Sequence, residues 1–473
     1  MFFNRKKPKE GTPSLFQLFK QALSNDNQRD FTQGSIGQAA FLLAVPMVLE
    51  MVMESIFAVT DIFFVSGLGA DAIAVVGLTE AVITLLYAVA IGLSMAVTAT
   101  VARRIGEKNY ESANIVTGQT IWIGLFTALL VAGIGLWFAE DILRLMGATD
   151  EVIDIGGSYT SVMLTGSITI LYLFLFNAIF RGAGDANIAM RSLWLANGIN
   201  IVLDPLLIYG YGPFPEMGVT GAAVATNIGR GIGVLYQIYH LVDGSSRIKV
   251  GLTHLRIVSA VALRLLKTSF GGIAQFLIAT ASWVILVRII STYGSEAVAG
   301  YTIAIRVIIF TILPSWGLSN AAATLVGQNL GANLPDRAEQ SVWKVTKYNV
   351  YFMVSVAIIF ITFAHPIIGL FTNDPTVLEI GVQCLRFISY GYGFYAVGMI
   401  LVQAFNGAGD TMTPTWINLF CYWIFQIPLA YFLAKSMELN ATGVFLAITL
   451  AESLIALVSV VIFKRAKWKT GVV

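Results

Sequence analysis

Apolar runs of about 20 residues or more, separated by short polar stretches, follow one another along almost the whole chain. Runs of that length match the hydrocarbon core of a bilayer when coiled as α-helices. Twelve are predicted, at 38–66, 72–100, 114–138, 157–180, 189–210, 219–242, 265–291, 297–325, 345–370, 381–405, 412–434 and 441–463. Ahead of the first, Leu15, Phe16, Leu18, Phe19, Ala22 and Leu23 recur at helical spacing. That spacing predicts a short helix lying on the membrane interface, with a disordered basic tail (Arg5, Lys6, Lys7, Lys9) as the alternative.

Lys and Arg gather in alternate connections. Arg103, Arg104 and Lys108 follow span 2, Arg181 and Arg191 flank the connection after span 4, and Arg247, Lys249 and Arg256 follow span 6. Arg337 and Lys344 follow span 8, and Lys464, Arg465, Lys467 and Lys469 follow span 12. The loops 67–71, 211–217 and 292–296 have none, so the positive-inside rule puts both termini in the cytoplasm. The connection after span 10 also has none, yet the even span count requires it inside.

Composition agrees with a multi-pass protein: 57% of residues are hydrophobic and 12% charged, against about 25% charged in soluble domains. A net charge of +2 gives no reason to expect a nucleic-acid partner. Two cysteines, Cys384 and Cys421, both in apolar runs, argue against a disulfide framework or thiolate metal site. His240, His254 and His365 are scattered. The start of the chain lacks the short apolar run and small-residue cleavage site of a secretory signal, so none is expected.

The chain repeats itself. Gly69-Ala70-Asp71-Ala72 recurs as Gly294-Ser295-Glu296-Ala297, 225 positions on. Gly92-Leu93-Ser94 matches Gly317-Leu318-Ser319, Gly106 matches Gly331, and Gly182-Ala183-Gly184-Asp185 matches Gly407-Ala408-Gly409-Asp410 in the same register. Six spans per copy keep both copies in one orientation, related by a pseudo-two-fold axis along the membrane normal, an arrangement suited to alternating access. The predicted organisation is a cytoplasmic tail (1–35), an N-terminal lobe (36–242), an inter-lobe loop (243–264), a C-terminal lobe (265–463) and a basic tail (464–473).

Polar groups inside the spans carry the candidate chemistry. Span 1 holds Glu50, Glu54 and Asp61 within about 40° of one another on a helical wheel, a face expected to look into the protein. An acid at membrane depth costs roughly 2.5–3.5 kcal/mol on insertion scales, so it is normally kept for ion or proton movement. Asn200 and Asp204 share a face of span 5, and Pro205 can loosen the helix there. The structural alternatives are a buried pair for Asp61 and interhelical hydrogen bonds for Asn200 and Asp204. In the second copy Gln275 aligns with Glu50, span 7 has no carboxylate, and nothing in span 11 answers to Asp204. Arg230 and Glu452 occupy matching positions, 222 apart across a small gap. They can latch the lobes or contact substrate; the preferred reading is that Arg230 neutralises acids of its own lobe. Trp283, Trp316 and Trp423 are aromatic candidates for a cavity wall.

The duplication, the paired Gly-Ala-Gly-Asp loops, Asn200-x-x-x-Asp204-Pro205 and Gly327-Gln328-Asn329-Leu330-Gly331-Ala332 together resemble the multidrug and toxic compound extrusion (MATE) transporters, over about residues 36 to 463. The DinF-like prokaryotic type looks nearest, because NorM-like and eukaryotic members carry an acid in span 7. The resemblance implies an all-α membrane protein of twelve helices in two pseudo-symmetric six-helix bundles set in a V. It implies a secondary active exporter of organic cations or polyaromatic drugs, acting as a monomer in the cytoplasmic membrane. It is not an enzyme and needs no cofactor beyond its coupling ion, Na⁺ or H⁺. The family's cation site falls on Asp61, Asn200, Asp204 and Thr226, with Asn177 and Tyr159 as supporting groups and Glu50 and Glu54 as candidate extensions of a proton path. A lipid-linked oligosaccharide flippase of the same superfamily is the rival, but its anionic cargo calls for a cavity rich in Arg and Lys. A membrane enzyme lacks a nucleophile or metal constellation here, and a channel fits duplicated lobes less well than a carrier does.

Overall fold

The computed structural model describes residues 14–24, 29–244 and 246–470. The basic cluster from Arg5 to Lys9 lies outside the described residues. A short helix, α1 (Leu15–Ala22), occupies the segment with the amphipathic spacing. Its N-terminus is closed by a capping box in which Ser14 and Gln17 satisfy each other's backbone N–H. Leu15 and Phe16 are exposed.

The first bundle follows as α2 (Ile36–Ser66), α3 (Ala70–Gly106), α4 (Tyr110–Leu145), α5 (Asp150–Thr165), α6 (Ser167–Ala183), α7 (Ala186–Ile208) and α8 (Val219–Asp243). The second comprises α9 (Ser259–Ser291), α10 (Ser295–Gly331), α11 (Pro335–Gly369), α12 (Pro375–Tyr390), α13 (Tyr392–Gly407), α14 (Met412–Ser436) and α15 (Asn440–Lys464). Spans 4 and 10 are each two helices, broken at Gly166 and at Gly391, 225 positions apart, and the second break turns the chain by 57°. The unbroken spans predicted there miss both breaks, since hydropathy does not register a glycine bend.

Among the described residues nine helices are long and apolar enough to cross a membrane, ten if α12 and α13 count as one broken span. The two further spans of the twelve are α7 and α8. Their sequences include Asn197, Asn200, Asp204, Arg230 and Gln237, all buried, so their low hydropathy comes from polar side chains turned inward.

The inter-lobe segment between α8 and α9 is docked. A single 3₁₀ turn (Leu252–Leu255) precedes α9, and the segment clips onto the first bundle. Gln119 donates to Arg256 O at 2.9 Å, Trp122 to Leu255 O at 2.7 Å, and the Lys249 N–H to Asn114 at 3.0 Å. Ser246 donates to Asp185 at 2.6 Å.

The segment before α2 and the segment after α15 lie on one side: Arg337 donates to Gly34 O at 3.0 Å, and Lys469 pairs with Asp336 at 3.1 Å. The bundles are sealed together on this terminal side by α2 and α3 against α9 and α10. A Cβ on Gly106 would meet Gln328 O at 2.0 Å, and a Cβ on Gly331 would meet Arg103 O at 2.1 Å. Higher up, a Cβ on Gly92 would meet Ile273 N at 2.5 Å, and one on Gly317 would meet the Val48 Cα at 2.8 Å. Each contact has its partner 225 positions away, so the two-fold axis passes through this seal. Without a hydrophobic drive between helices in lipid, such backbone approach is what close packing rests on. The first half of α2 (Ala39, Ala40, Leu43, Ala44, Met47) shares one apolar cluster with Ala321, Ala322, Leu325 and Val326 of α10. Past Met47 the seal ends, and the V opens toward the other side.

Candidate functional site

The first bundle's polar groups sit just beyond the seal, in two groups. In the first, Glu50 of α2 is 1% exposed and accepts from Asn177 at 3.0 Å and from Arg181 at 3.3 Å. Gln237 of α8 donates to the Asn177 amide oxygen at 2.5 Å. One turn along α2, Glu54 accepts from Asn197 of α7 at 3.1 Å. Glu50 and Arg181 thus form a buried ion pair braced by an amide relay.

Asn177, named from the resemblance as a supporting group of the cation site, bonds to Glu50 and Gln237. The ion pair moves Arg181 out of the loop charge cluster, because α6 runs on to Ala183 and holds its guanidinium inside the bundle.

The second group lies farther from the seal, between α7 and α8. Asn200 donates to Asp204 at 3.4 Å and to the Thr226 hydroxyl at 3.0 Å, so three of the four predicted site residues meet. Two oxygens, Asn200 Oδ1 and Asp204 Oδ2, are fully buried without a hydrogen-bond partner. Asp61 makes no hydrogen bond to this trio; it is the neighbouring charge that acts on Asp204. Pro205 lies within a continuous α7, which bonds past it from Tyr209 N to Pro205 O. Tyr159 is buried in the apolar core of the bundle, within electrostatic reach of Glu80 and Asp61.

Arg230 stands between the groups. It donates to Tyr87 at 3.2 Å, its guanidinium lies 5.9 Å from the Phe57 ring centre, and it is the positive charge acting on both Asp61 and Glu80. Glu452 is held in the other bundle by Tyr422 at 3.0 Å. The two do not meet, so no latch joins the lobes through them in this state. Glu80, Asn197 and Gln237 were missed from the sequence. Glu80 was legible as an acid inside span 2; the two amides carry no signal at the level of hydropathy.

The second bundle repeats the Glu50–Arg181 pair without charge. Gln275 and Asn406 stand 225 positions from Glu50 and Arg181, and they exchange hydrogen bonds at 3.0 and 3.2 Å. Gln403 extends this to Asn320 at 3.4 Å. Glu50, Arg181 and Asn406 line a cavity of about 240 Å³ between the bundles, floored by the seal and walled by Phe276 and Trp316, and Gln275 lines the cavity next to it. A cavity of about 190 Å³ adjoins it in the second bundle, and a third of about 260 Å³ lies beyond, where Trp283 forms part of the wall. Trp423 is in neither wall; its indole donates to Ile278 O at 3.0 Å. Among the described residues no three His, Cys, Asp or Glu side chains come together as a metal site.

Two six-helix bundles about a pseudo-two-fold axis, a cavity between them closed on one side, and buried charges beside it define a membrane transporter of the alternating-access kind. The MatE family model matches residues 46–206 and again 272–432, one copy on each bundle, and the chain belongs to that family; it is a transporter and not an enzyme. It is 27% identical over 455 residues to a probable multidrug resistance protein NorM of Thermotoga maritima, covering 96% of this chain and 97% of that protein. It is 26% identical over 395 residues to a FAD transporter of Shewanella oneidensis, covering 84% and 87%. Among solved structures it resembles a multidrug resistance MATE family transporter of the MOP superfamily in an outward-facing conformation, with a TM-score of 0.86, 26% identity, and 92% and 96% coverage.

Proposed function

We propose that this chain is a secondary active exporter of organic cations or polyaromatic compounds, driven by inward movement of Na⁺ or H⁺, with coupling confined to the first bundle. The observation that carries this is the pair of unpartnered buried oxygens on Asn200 and Asp204, beside the Thr226 hydroxyl and the Asp61 carboxylate. Buried polar atoms without partners are rare, and these are amide and carboxylate oxygens, the donors a hard cation prefers. Na⁺ would be held by Asp61, Asn200, Asp204 and Thr226; in the proton-coupled alternative, Asp61 and Asp204 carry the proton. Two neighbouring carboxylates favour the loaded form in either case, and loading then biases the balance between lobe arrangements.

The membrane is the cytoplasmic one, with the sealed side and both termini facing the cytoplasm. The absence of a carboxylate in α9 supports the DinF-like type. The molecule works as a monomer, since each lobe already finds its two-fold partner within the chain.

A second reading is transport of an anionic cargo, either FAD, which the S. oneidensis relative's name gives as its cargo, or the lipid-linked oligosaccharide of the flippase rival. The cationic groups beside the cavities weigh against it: Arg181 is paired with Glu50, and Arg230 lies among Glu54, Glu80 and Asp61.

The test is efflux of a fluorescent organic cation from liposomes holding the wild type or Asp61→Asn, under imposed Na⁺ or proton gradients. Gradient-driven efflux that the substitution abolishes is the expected result and names the ion. Normal transport by Asp61→Asn would remove the coupling assignment and bring the anion reading forward.

A further inference from the structure

The third cavity, of about 260 Å³, lies wholly inside the second bundle and far exceeds the roughly 10–15 Å³ that one water requires. Its wall is aromatic. Trp283, Tyr301, Tyr392, Tyr395 and Tyr422 line it, and the one ionisable acid among the lining residues is Glu452 of α15. The Trp283 indole donates to the Tyr301 hydroxyl at 2.7 Å, and Tyr392 shares a hydrogen bond with Thr311 at 3.3 Å. Three of the rings are therefore fixed in place. Glu452 and Tyr422 also line the 190 Å³ cavity next door, which in turn shares Phe276 and Trp316 with the central cavity. The three cavities therefore stand in series with shared walls from the central cleft to this pocket.

The Glu452 carboxyl has no counter-ion of its own among the described residues. Tyr422 donates to one of its oxygens, and no Lys, Arg or His acts on it. On α9 to α15 every Lys and Arg is exposed except Arg337, which is tied to Gly34 at the terminal side. The matching position in the first bundle is Arg230, a cation placed among acids and over the Phe57 ring. The repeat thus puts a built-in guanidinium in one lobe, and in the other a carboxylate with an aromatic enclosure and no cation. An acid set in a largely apolar wall favours a cationic partner, and Tyr and Trp faces attract positive charge.

We propose that the Glu452 pocket binds a monovalent organic cation, which takes in the second bundle the place that the Arg230 guanidinium takes in the first. The cation stacks on Tyr and Trp faces and pairs with Glu452, while the neutral Gln275–Asn406 pair lets it pass between cleft and pocket. The pocket is a cargo site, separate from the coupling residues of the first bundle. The proposal rests on the export reading for its substrate class.

Binding of radiolabelled tetraphenylphosphonium to the full chain in nanodiscs tests it. E452Q should weaken binding by roughly tenfold or more, while E452D keeps it within about threefold, because the charge rather than the amide-sized shape is what pairs with the probe. Equal binding by E452Q and the wild type would overturn the site while leaving Asp61-dependent efflux untouched. Loss of binding in E452D as deep as in E452Q would also overturn it, by showing that the residue matters for packing and not for charge. A wild type that binds no probe would overturn this site and the organic-cation reading together.

Discussion

Glu50 and Arg181 show what one residue's neighbourhood decides. A buried ion pair stripped of one member leaves an uncompensated charge, a loss of about 3–5 kcal/mol. Glu50→Gln alone should therefore lower the melting temperature sharply. The double change Glu50→Gln with Arg181→Asn copies the Gln275–Asn406 pair that the second bundle already tolerates, and it should recover most of the loss. Thermal melts of the three variants in detergent check this; an additive double variant would mean the pair is not coupled. At this scale the sequence was legible where a polar side chain interrupts an apolar run, as at Asp61, Asn200 and Asp204. It was misleading at Arg181, whose position beside a loop looks like a surface charge. Its partner stands 131 positions away, a separation no local pattern encodes.

Helices were easier to read than their ends or their company. Hydropathy ended span 2 at residue 100, while α3 continues to Gly106, because a helix does not stop where the bilayer does. Polar α7 and α8 still count as spans, since their amides and acids face one another. The glycine contacts at the seal were visible as repeat motifs, but their meaning required the crossing of α3 with α10. Gly106→Leu or Gly331→Leu would drive a side chain into Gln328 or Arg103 backbone, and overpacking of this kind costs about 1–3 kcal/mol. Both variants should melt earlier and expose the terminal side to water-soluble thiol reagents at a cysteine placed on Thr324, which is buried in the seal of the intact protein. Asp185, in the turn before α7, tethers the inter-lobe segment through Ser246 and the Arg247 N–H. Burial pushes its carboxyl up from the ordinary aspartate range, and those hydrogen bonds pull against the shift. A raised value means the folded state holds the proton more tightly, so this residue's contribution to stability falls as pH climbs through it. Asp185→Asn should flatten that part of a melting-temperature profile against pH.

For the whole molecule the seal is the moving part, since alternating access requires it to part while a new one forms on the other side. Gly317→Leu, which would wedge a side chain into the Met47 and Val48 backbone, should slow transport by keeping the seal from re-forming. Wild-type transport rates in that variant would mean that the seal does not close during the cycle. The two-lobed plan was legible from the 225-residue register, but the way the lobes touch was not, because matching motifs say that copies exist and not which faces meet. Those faces obey a further rule: Gly106 meets Gln328 as Gly331 meets Arg103, and Gly92 meets Ile273 as Gly317 meets Val48. Contacts that swap under exchange of halves are those of an isologous dimer, so the ancestral half-length chain could have assembled with itself before its gene was doubled and joined. The joint then carries little of the recognition. Cut within the inter-lobe segment and made as two separate polypeptides, the halves should still find each other in the membrane and export as one.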